Sequence, residues 1–157
     1  MSDLFQEFVK RRSIRRYTEE PIADDLLRRI LAVGLMSASG KSKFPWQFIV
    51  VRDRAMLEKL SGCRVGVAKM LAKAACAIIV IGDKTITDTV IEDCTIAAIN
   101  MHLEASSLGL GSCYIQGRGR EAEDGRTTED FVRSLLGFPE KYQLQAILSL
   151  GHPLKEA

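Results

Sequence analysis

Five of the seven residues in the run Lys10-Arg11-Arg12-Ser13-Ile14-Arg15-Arg16 are cations, and Tyr17 follows directly. A hydroxyl among forked guanidinium groups presents several charge-assisted donors to an anion, and a phosphate suits that set. Cations also collect at the C-terminal end of a helix, where they complement its dipole, so the run alone allows either reading. The whole chain has 22 Lys and Arg against 20 Asp and Glu, a formal net charge of +2, so the positive charge is local. That balance, with no aromatic interleaving beyond Tyr17, argues against a nucleic-acid or other polyanion binder.

Other reactive chemistry is scarce. There are two histidines, His102 and His152, and no G-x-S-x-G, H-E-x-x-H, Walker loop or G-x-G-x-x-G. Gly109-Leu110-Gly111 ends a helix instead of following a strand, so it is no dinucleotide fingerprint. His102, inside an apolar helix, reads as a satisfied core or interface residue. Asp93 and Asn100 in the same helix suit loop capping or bonding across a subunit interface. Cys63, Cys76, Cys94 and Cys113 lie 13, 18 and 19 residues apart, with no C-x-x-C pair, and match no metal pattern. They read as small buried hydrophobes in a reducing compartment. Neither a metal nor a catalytic side chain is expected.

A chain without its own nucleophile or acid–base pair either does no chemistry or borrows a cofactor. Three segments suit holding one. The basic run would take a phosphate. The small residues 37–42 offer backbone that can lie against a flat ring. Tyr114-Ile115-Gln116-Gly117 ends a strand with N–H groups beside a glycine that permits close approach.

The elements that must position these segments follow from periodicity. Ser2 can cap a helix with Leu4, Phe5, Phe8 and Val9 on one stripe. Pro21 suits the start of a second helix, with Asp24 and Asp25 in its first turn and Leu26, Leu27, Ile30 and Leu31 along its buried face. Residues 46–51 read as a buried strand, and 77–81 as a central strand covered on both faces. Residues 52–60 and 65–72 read as two short helices. The longest helix spans 89–108, and a second apolar seam of Ile96, Ile99 and Leu103 makes its middle apolar nearly all round. That seam asks for cover from a partner subunit. Residues 112–116 and 144–150 complete the strands; 117–127 is a charged, glycine-rich and mobile connection, and Thr128 caps a short helix. The pattern predicts an α+β fold, a three-layer α/β/α sandwich with a mixed central sheet.

At 157 residues, 46% hydrophobic and 27% charged, the chain reads as a single domain over 1–157. No apolar window is long enough to span a bilayer and Met1-Ser2-Asp3 does not open a signal peptide, so a cytoplasmic location is expected.

Taken in order, these segments resemble the flavin-binding elements of the nitroreductase family, FMN-dependent NAD(P)H oxidoreductases. The opening R-R-S-I-R-R-Y is similar to the family's R-x-S-x-R element. Ser39 followed by Pro45-Trp46-Gln47-Phe48 resembles its small-residue loop and P-W-x-F strand. The stretch from Glu92 through Gly109-Leu110-Gly111 resembles its long helix and G-L-G ending, and Gly151-His152-Pro153 stands where G-Y-P is common. The resemblance implies FMN, with Arg11, Arg12 and Ser13 at its phosphate and ribityl chain and Arg15 at the pyrimidine edge. Ala38, Ser39 and Gly40 would lie along the ring, as would Tyr114 and Ile115 on the strand leading to Gln116. Gln116 and Gly117 would offer backbone N–H groups to its reactive nitrogen. It also implies a homodimer in which the loop carrying Ser42 and Phe44 reaches the partner's flavin, with Lys155 as the remaining cation for the phosphate. Ser42 and Phe44 replace the family's usual Asn and Gln, Ala38 and Tyr114 replace common prolines, and the C-terminus is short.

The expected activity is hydride transfer from NAD(P)H through the flavin to a small-molecule acceptor such as a nitroaromatic or quinone. A flavin-binding sensor or carrier on the same fold is the alternative that those departures motivate. Acceptor choice would fall to the loops 61–66 and 117–127, whose residue types favour no particular substrate.

Overall fold

The computed structural model describes residues 3–155. Its centre is β2 (Cys76–Asp83), eight residues that are all buried. A run of Ile and Val with no polar alternation can be stable as a strand only when both faces are covered, and here both are. The sheet order is β1-β2-β4-β3, with β1 at Trp46–Val51, β3 at Gly111–Gln116 and β4 at Tyr142–Gly151. On one face Ile78, Val80, Leu148 and Leu150 pack against α2 (Asp24–Leu35) and α4 (Val90–Ser107). On the other, Ala77, Ile79, Ile81 and Ile147 pack against α3 (Arg54–Leu60), a 3₁₀ turn at Lys69–Lys73 and α5 (Thr128–Leu136). The layers are therefore α/β/α.

The three strand pairings are all antiparallel. The expected mixed character is confined to one edge, where Ser13 bridges Ser112 in parallel. β1 with β2 and β3 with β4 are consecutive in the chain and joined by connections that turn back, and the non-consecutive β2 and β4 also run antiparallel. A shift of register between Val80 and Ile81 sets Gln145 opposite no partner on β2, a bulge at the end of β4 that lies beside β3.

Local expectations changed in four places. Residues 65–72 form no α-helix; only the short 3₁₀ turn appears, because the loop before it is tied elsewhere, Val65 N–H to the Glu121 carbonyl at 3.0 Å. Thr127 rather than Thr128 caps α5, its hydroxyl accepting from Asp130 N–H, while Thr128 is buried and donates to the Cys63 carbonyl at 2.6 Å. Ser2 lies outside the described residues, and Asp3 caps α1 (Leu4–Lys10) by accepting from Phe5 N–H. Finally, the apolar stripe of α1 faces outward: Leu4, Phe5, Phe8 and Val9 are 62, 66, 57 and 49% exposed. The two core layers close without α1, so its stripe stays largely uncovered among the described residues.

Candidate functional site

The segment after α1 is held against the sheet edge. Ile14 N–H donates to the Ser112 carbonyl at 2.9 Å, Thr18 N–H to the His152 carbonyl at 2.9 Å and Leu154 N–H to the Arg16 carbonyl at 2.9 Å. The basic run is thus threaded between β3 and the C-terminal segment; Lys10 and Arg12 also meet the C-terminal end of α1, while Arg15 and Arg16 lie beyond it. Tyr17 locks the turn from beneath. Its hydroxyl donates to the Ile14 carbonyl at 2.6 Å, so it must accept from Ser149 Oγ, also at 2.6 Å. Burial pushes the Tyr17 pKa up, which keeps that proton in place.

Arg11 is aimed by a histidine. Its Nη1 lies 3.2 Å from His102 Nε2, and His102 Nδ1 contacts Ser112 Oγ. A guanidinium can only donate, so Nε2 is the acceptor and Nδ1 carries the proton toward Ser112. Burial, with Arg11 close by, pushes His102 down to about 4 from an ordinary 6.5, so the ring is neutral. Arg12 folds back on the carbonyls of Val9 and Arg11 at 2.7 and 2.8 Å. Burial pushes the Cys113 thiol up, and the neighbouring Arg15 and Ser13 oppose that shift. Arg12, Ser13, Arg15, Arg16 and Lys155 are exposed.

Arg11, Ser13 and Tyr114 line one cavity of about 360 Å³ with Phe8, Ile99 and His102. Its one cation, Arg11, lies at the Ser112 end of β3. Gln116, four residues on, is roughly 13 Å away at the rise of a strand. There Tyr114 Oη donates to Gln116 Oε1 at 2.8 Å and accepts from Gln145 Nε2 at 3.2 Å. Gln145 Oε1 is buried and has no hydrogen-bond partner among the described residues, an acceptor left open beside this strand end. Gly117 departs from expectation. Its N–H donates to the Gln145 carbonyl at 3.1 Å, as does Arg118 N–H at 3.2 Å. The bulge at Gln145 turns that carbonyl onto the loop, so the Gly117 amide is not free for a ligand.

The other predicted segment lies elsewhere. Gly40 N–H donates to Asp93 Oδ1 at 3.0 Å, Thr89 Oγ1 donates to Asp93 Oδ2 at 2.9 Å, and Asn100 Nδ2 donates to Ser37 Oγ at 3.0 Å. Phe44 N–H donates to Ser39 Oγ at 3.0 Å, and the Phe44 ring tilts on Trp46 at 5.8 Å. Lys41, Ser42 and Phe44 have φ of 53°, 53° and 46°, left-handed conformations that disfavour residues with a Cβ. Asn100 and His102 point about 200° apart on a helix, and Asp93 and His102 about 180°. Ala38, Ser39, Gly40, Ser42 and Phe44 therefore lie across α4 from Arg11, Ser13 and Tyr114, and one protomer does not bring the two sets onto one ligand. Asp93 and Asn100 cap this loop, as their residue types suggested. The aiming role of His102 and the open acceptor of Gln145 had no sequence signal, since each depends on partners tens of residues away.

The four cysteines are free and buried, and burial pushes Cys63, Cys76 and Cys94 up to about 12. Among the described residues no cluster of His, Cys, Asp and Glu is placed to hold a metal ion, and no helix is long and apolar enough to cross a membrane.

Comparison with known proteins converges. A solved FMN-dependent nitroreductase from Clostridium difficile R20291 superposes with a TM-score of 0.94 at 40% identity, over 98% of this chain and 89% of that one. A Desulfovibrio desulfuricans protein with the provisional name nitroreductase, solved in complex with FMN, superposes with a TM-score of 0.81 at 26% identity, over 99% and 88%. An Archaeoglobus fulgidus protein with the provisional name NADH dehydrogenase/NAD(P)H nitroreductase is 35% identical over 160 residues, covering 99% of this chain and 88% of the relative. The sequence profile of the nitroreductase family matches residues 8–63 and 64–152. With the basic run, the long helix and the P-W strand start all within those matched stretches, this chain belongs to the nitroreductase family.

Proposed function

We propose that this chain is an FMN-dependent oxidoreductase that passes a hydride from NAD(P)H, by way of the flavin, to an oxidised acceptor such as a nitroaromatic or quinone. The observation that carries this reading is the basic segment clamped along β3, which puts Arg11, Ser13 and Tyr114 on one apolar-walled cavity with Gln116 further along the strand. The residues fit the cofactor chemically. Exposed guanidinium groups and the Ser13 hydroxyl suit a phosphate, and the open Gln145 Oε1 suits a ring N–H. Bound FMN would supply the hydride-accepting ring. Arg15 would stabilise negative charge developing on its pyrimidine edge. Ile115, buried on β3, would set the height of the strand beneath it.

A second copy of the chain completes the site in this reading. It would bring Ala38, Ser39, Gly40, Ser42 and Phe44 to the face that one protomer leaves open. The outward stripe of α1 and the half-exposed Ile96 and Ile99 on the same side of α4 support such a homodimer, since together they form an apolar surface of a kind monomers rarely leave bare.

The test is the visible spectrum of the purified protein, with added FMN, before and after NADH or NADPH under anaerobic conditions. Flavin absorbance that bleaches with either donor is the expected result. Absorbance that persists with both favours the sensor or carrier, a reading supported by the loop's lack of amide side chains at Ser42 and Phe44. A protein that takes up no FMN overturns both.

A further inference from the structure

A second cavity, of about 370 Å³, opens beyond the far end of β3 and lies outside the proposed flavin site. Four separate parts of the chain meet in it, one of them β4 through Gln143. Lys84 comes from the turn after β2, Arg118 and Arg120 from the turn after β3, and Thr127 from the cap of α5. Four arginines elsewhere pair with carboxylates: Arg29 with Glu104, Arg52 with Asp24, Arg126 with Asp124 and Arg133 with Glu129. Lys84, Arg118 and Arg120 form no ion pair among the described residues.

Two neighbouring carboxylates, Asp83 and Glu129, are committed elsewhere. Asp83, next to Lys84, is held by Thr85 N–H and Thr85 Oγ1 and by Lys141 at 3.5 Å. Glu129, on the cavity wall, accepts from Leu144 N–H at 2.6 Å and faces Arg133 at 3.7 Å. Glu121 alone of the wall carboxylates lacks such a partner among the described residues. Three cations against one uncommitted carboxylate, at the positive end of a nine-residue helix, make this basin attractive to an anion with more than one charge.

Its position selects the anion. Arg118 directly follows Gly117, so the basin adjoins the strand end assigned above to the flavin ring. A reduced nicotinamide dinucleotide placed on that ring extends away from it toward its adenosine end. NADPH differs from NADH only in the 2′-phosphate there, a dianion that forked guanidinium groups recognise well. We propose that Lys84, Arg118 and Arg120 seat the 2′-phosphate of NADPH, and that this enzyme prefers NADPH to NADH. The inference rests on the hydride-donor reading above. The preference is invisible along the chain because Lys84 and Arg118 are 34 residues apart and meet only through the sheet.

The test is calorimetric titration of the FMN-loaded protein with 2′,5′-ADP and with 5′-AMP, in the wild type and in Lys84→Gln/Arg120→Gln. All substituted side chains are exposed, and an exposed cation outside the cavity lining, replaced in Lys59→Gln, serves as control. The expected result is binding of 2′,5′-ADP about tenfold or more tighter than 5′-AMP, lost in the double variant and kept in the control. kcat/KM for NADPH should fall by the same factor in the double variant while that for NADH holds. Equal binding of the two nucleotides by the wild type, or discrimination that survives the double substitution, overturns the proposal. If neither dinucleotide reduces the flavin yet 2′,5′-ADP is still selected through these residues, the phosphate site stands and the hydride-donor reading falls.

Discussion

The two sides of α4 hold their segments by opposite means. On one, the basic run is clamped by backbone hydrogen bonds to Ser112 and His152, and a neutral buried histidine aims Arg11. On the other, the loop 39–44 places three residues with side chains in left-handed conformations, and one buried carboxylate, Asp93, ties its Gly40 amide to the helix. Backbone hydrogen bonds fix the first, and polar side chains of α4, with Asp93 the anchor of the strained residues, hold the second. Where charges repel one another, many backbone bonds must hold them. The loop on the other side instead keeps its strain against side-chain ties from one helix.

Breaking that anchor should have the largest effect. Asp93→Ala strands two donors, Gly40 N–H and Thr89 Oγ1, and should cost about 2–4 kcal/mol in denaturant unfolding. It should also weaken FMN retention. Asp93→Asn, which keeps one acceptor, should recover part of both. Unchanged stability in Asp93→Ala would mean the loop is held by something else.

The clamped side should resist in a different way. A Cβ at Gly111 would meet Ile14 Cγ2 at 2.7 Å and Pro153 Cγ at 3.2 Å, so Gly111→Ala must push the basic run off β3. It should destabilise by about 1–3 kcal/mol. A Cβ at Gly40 meets only Thr89 closely, Oγ1 at 2.7 Å, and Gly40→Ala should cost less. The reverse ranking in thermal melts would invert the comparison.

Arg15→Ala removes an exposed cation and should leave stability within about 0.5 kcal/mol. It should weaken FMN binding about tenfold or slow its reduction. Unchanged flavin content together with unchanged turnover would remove Arg15 from the site.

The neutral histidine sharpens the contrast through pH. His102 is pushed down to about 4 from 6.5. Between those values the unfolded chain binds a proton that the folded one refuses. Its contribution to stability is therefore whole above pH 6.5 and is lost progressively as pH falls toward 4. His102→Gln should flatten that part of the stability–pH curve, and an unaltered slope would show that other groups cause it. The smallest effect belongs to the strain. Lys41→Gly should stabilise by about 0.5–1 kcal/mol, because glycine adopts positive φ freely.

The strands and long helices were readable because their signals are local. The unbroken apolar run before Asp83 and the three–four spacing of Ile91, Cys94, Ala98, Met101 and Ala105 each specify an element within a few residues. The stripe of Leu4, Phe5, Phe8 and Val9 was equally readable as a helix, but periodicity reports which residues share a face and not what covers that face. The same limit hid the fate of the Gly117 amide, which is decided by a bulge at Gln145 on another strand.

By itself, then, the sequence determined the order of elements, the basic run and the likeness to a family of flavin enzymes. All of these follow from residue types and spacings along one line. Only the tertiary structure decided that the basic run and the small-residue loop lie on opposite sides of one helix, that His102 is neutral and aims Arg11, and that Lys84 joins Arg118 and Arg120 around one basin. Those are distances between residues far apart in the chain, and they are set by how a buried sheet and a covered helix pack, which no local pattern encodes.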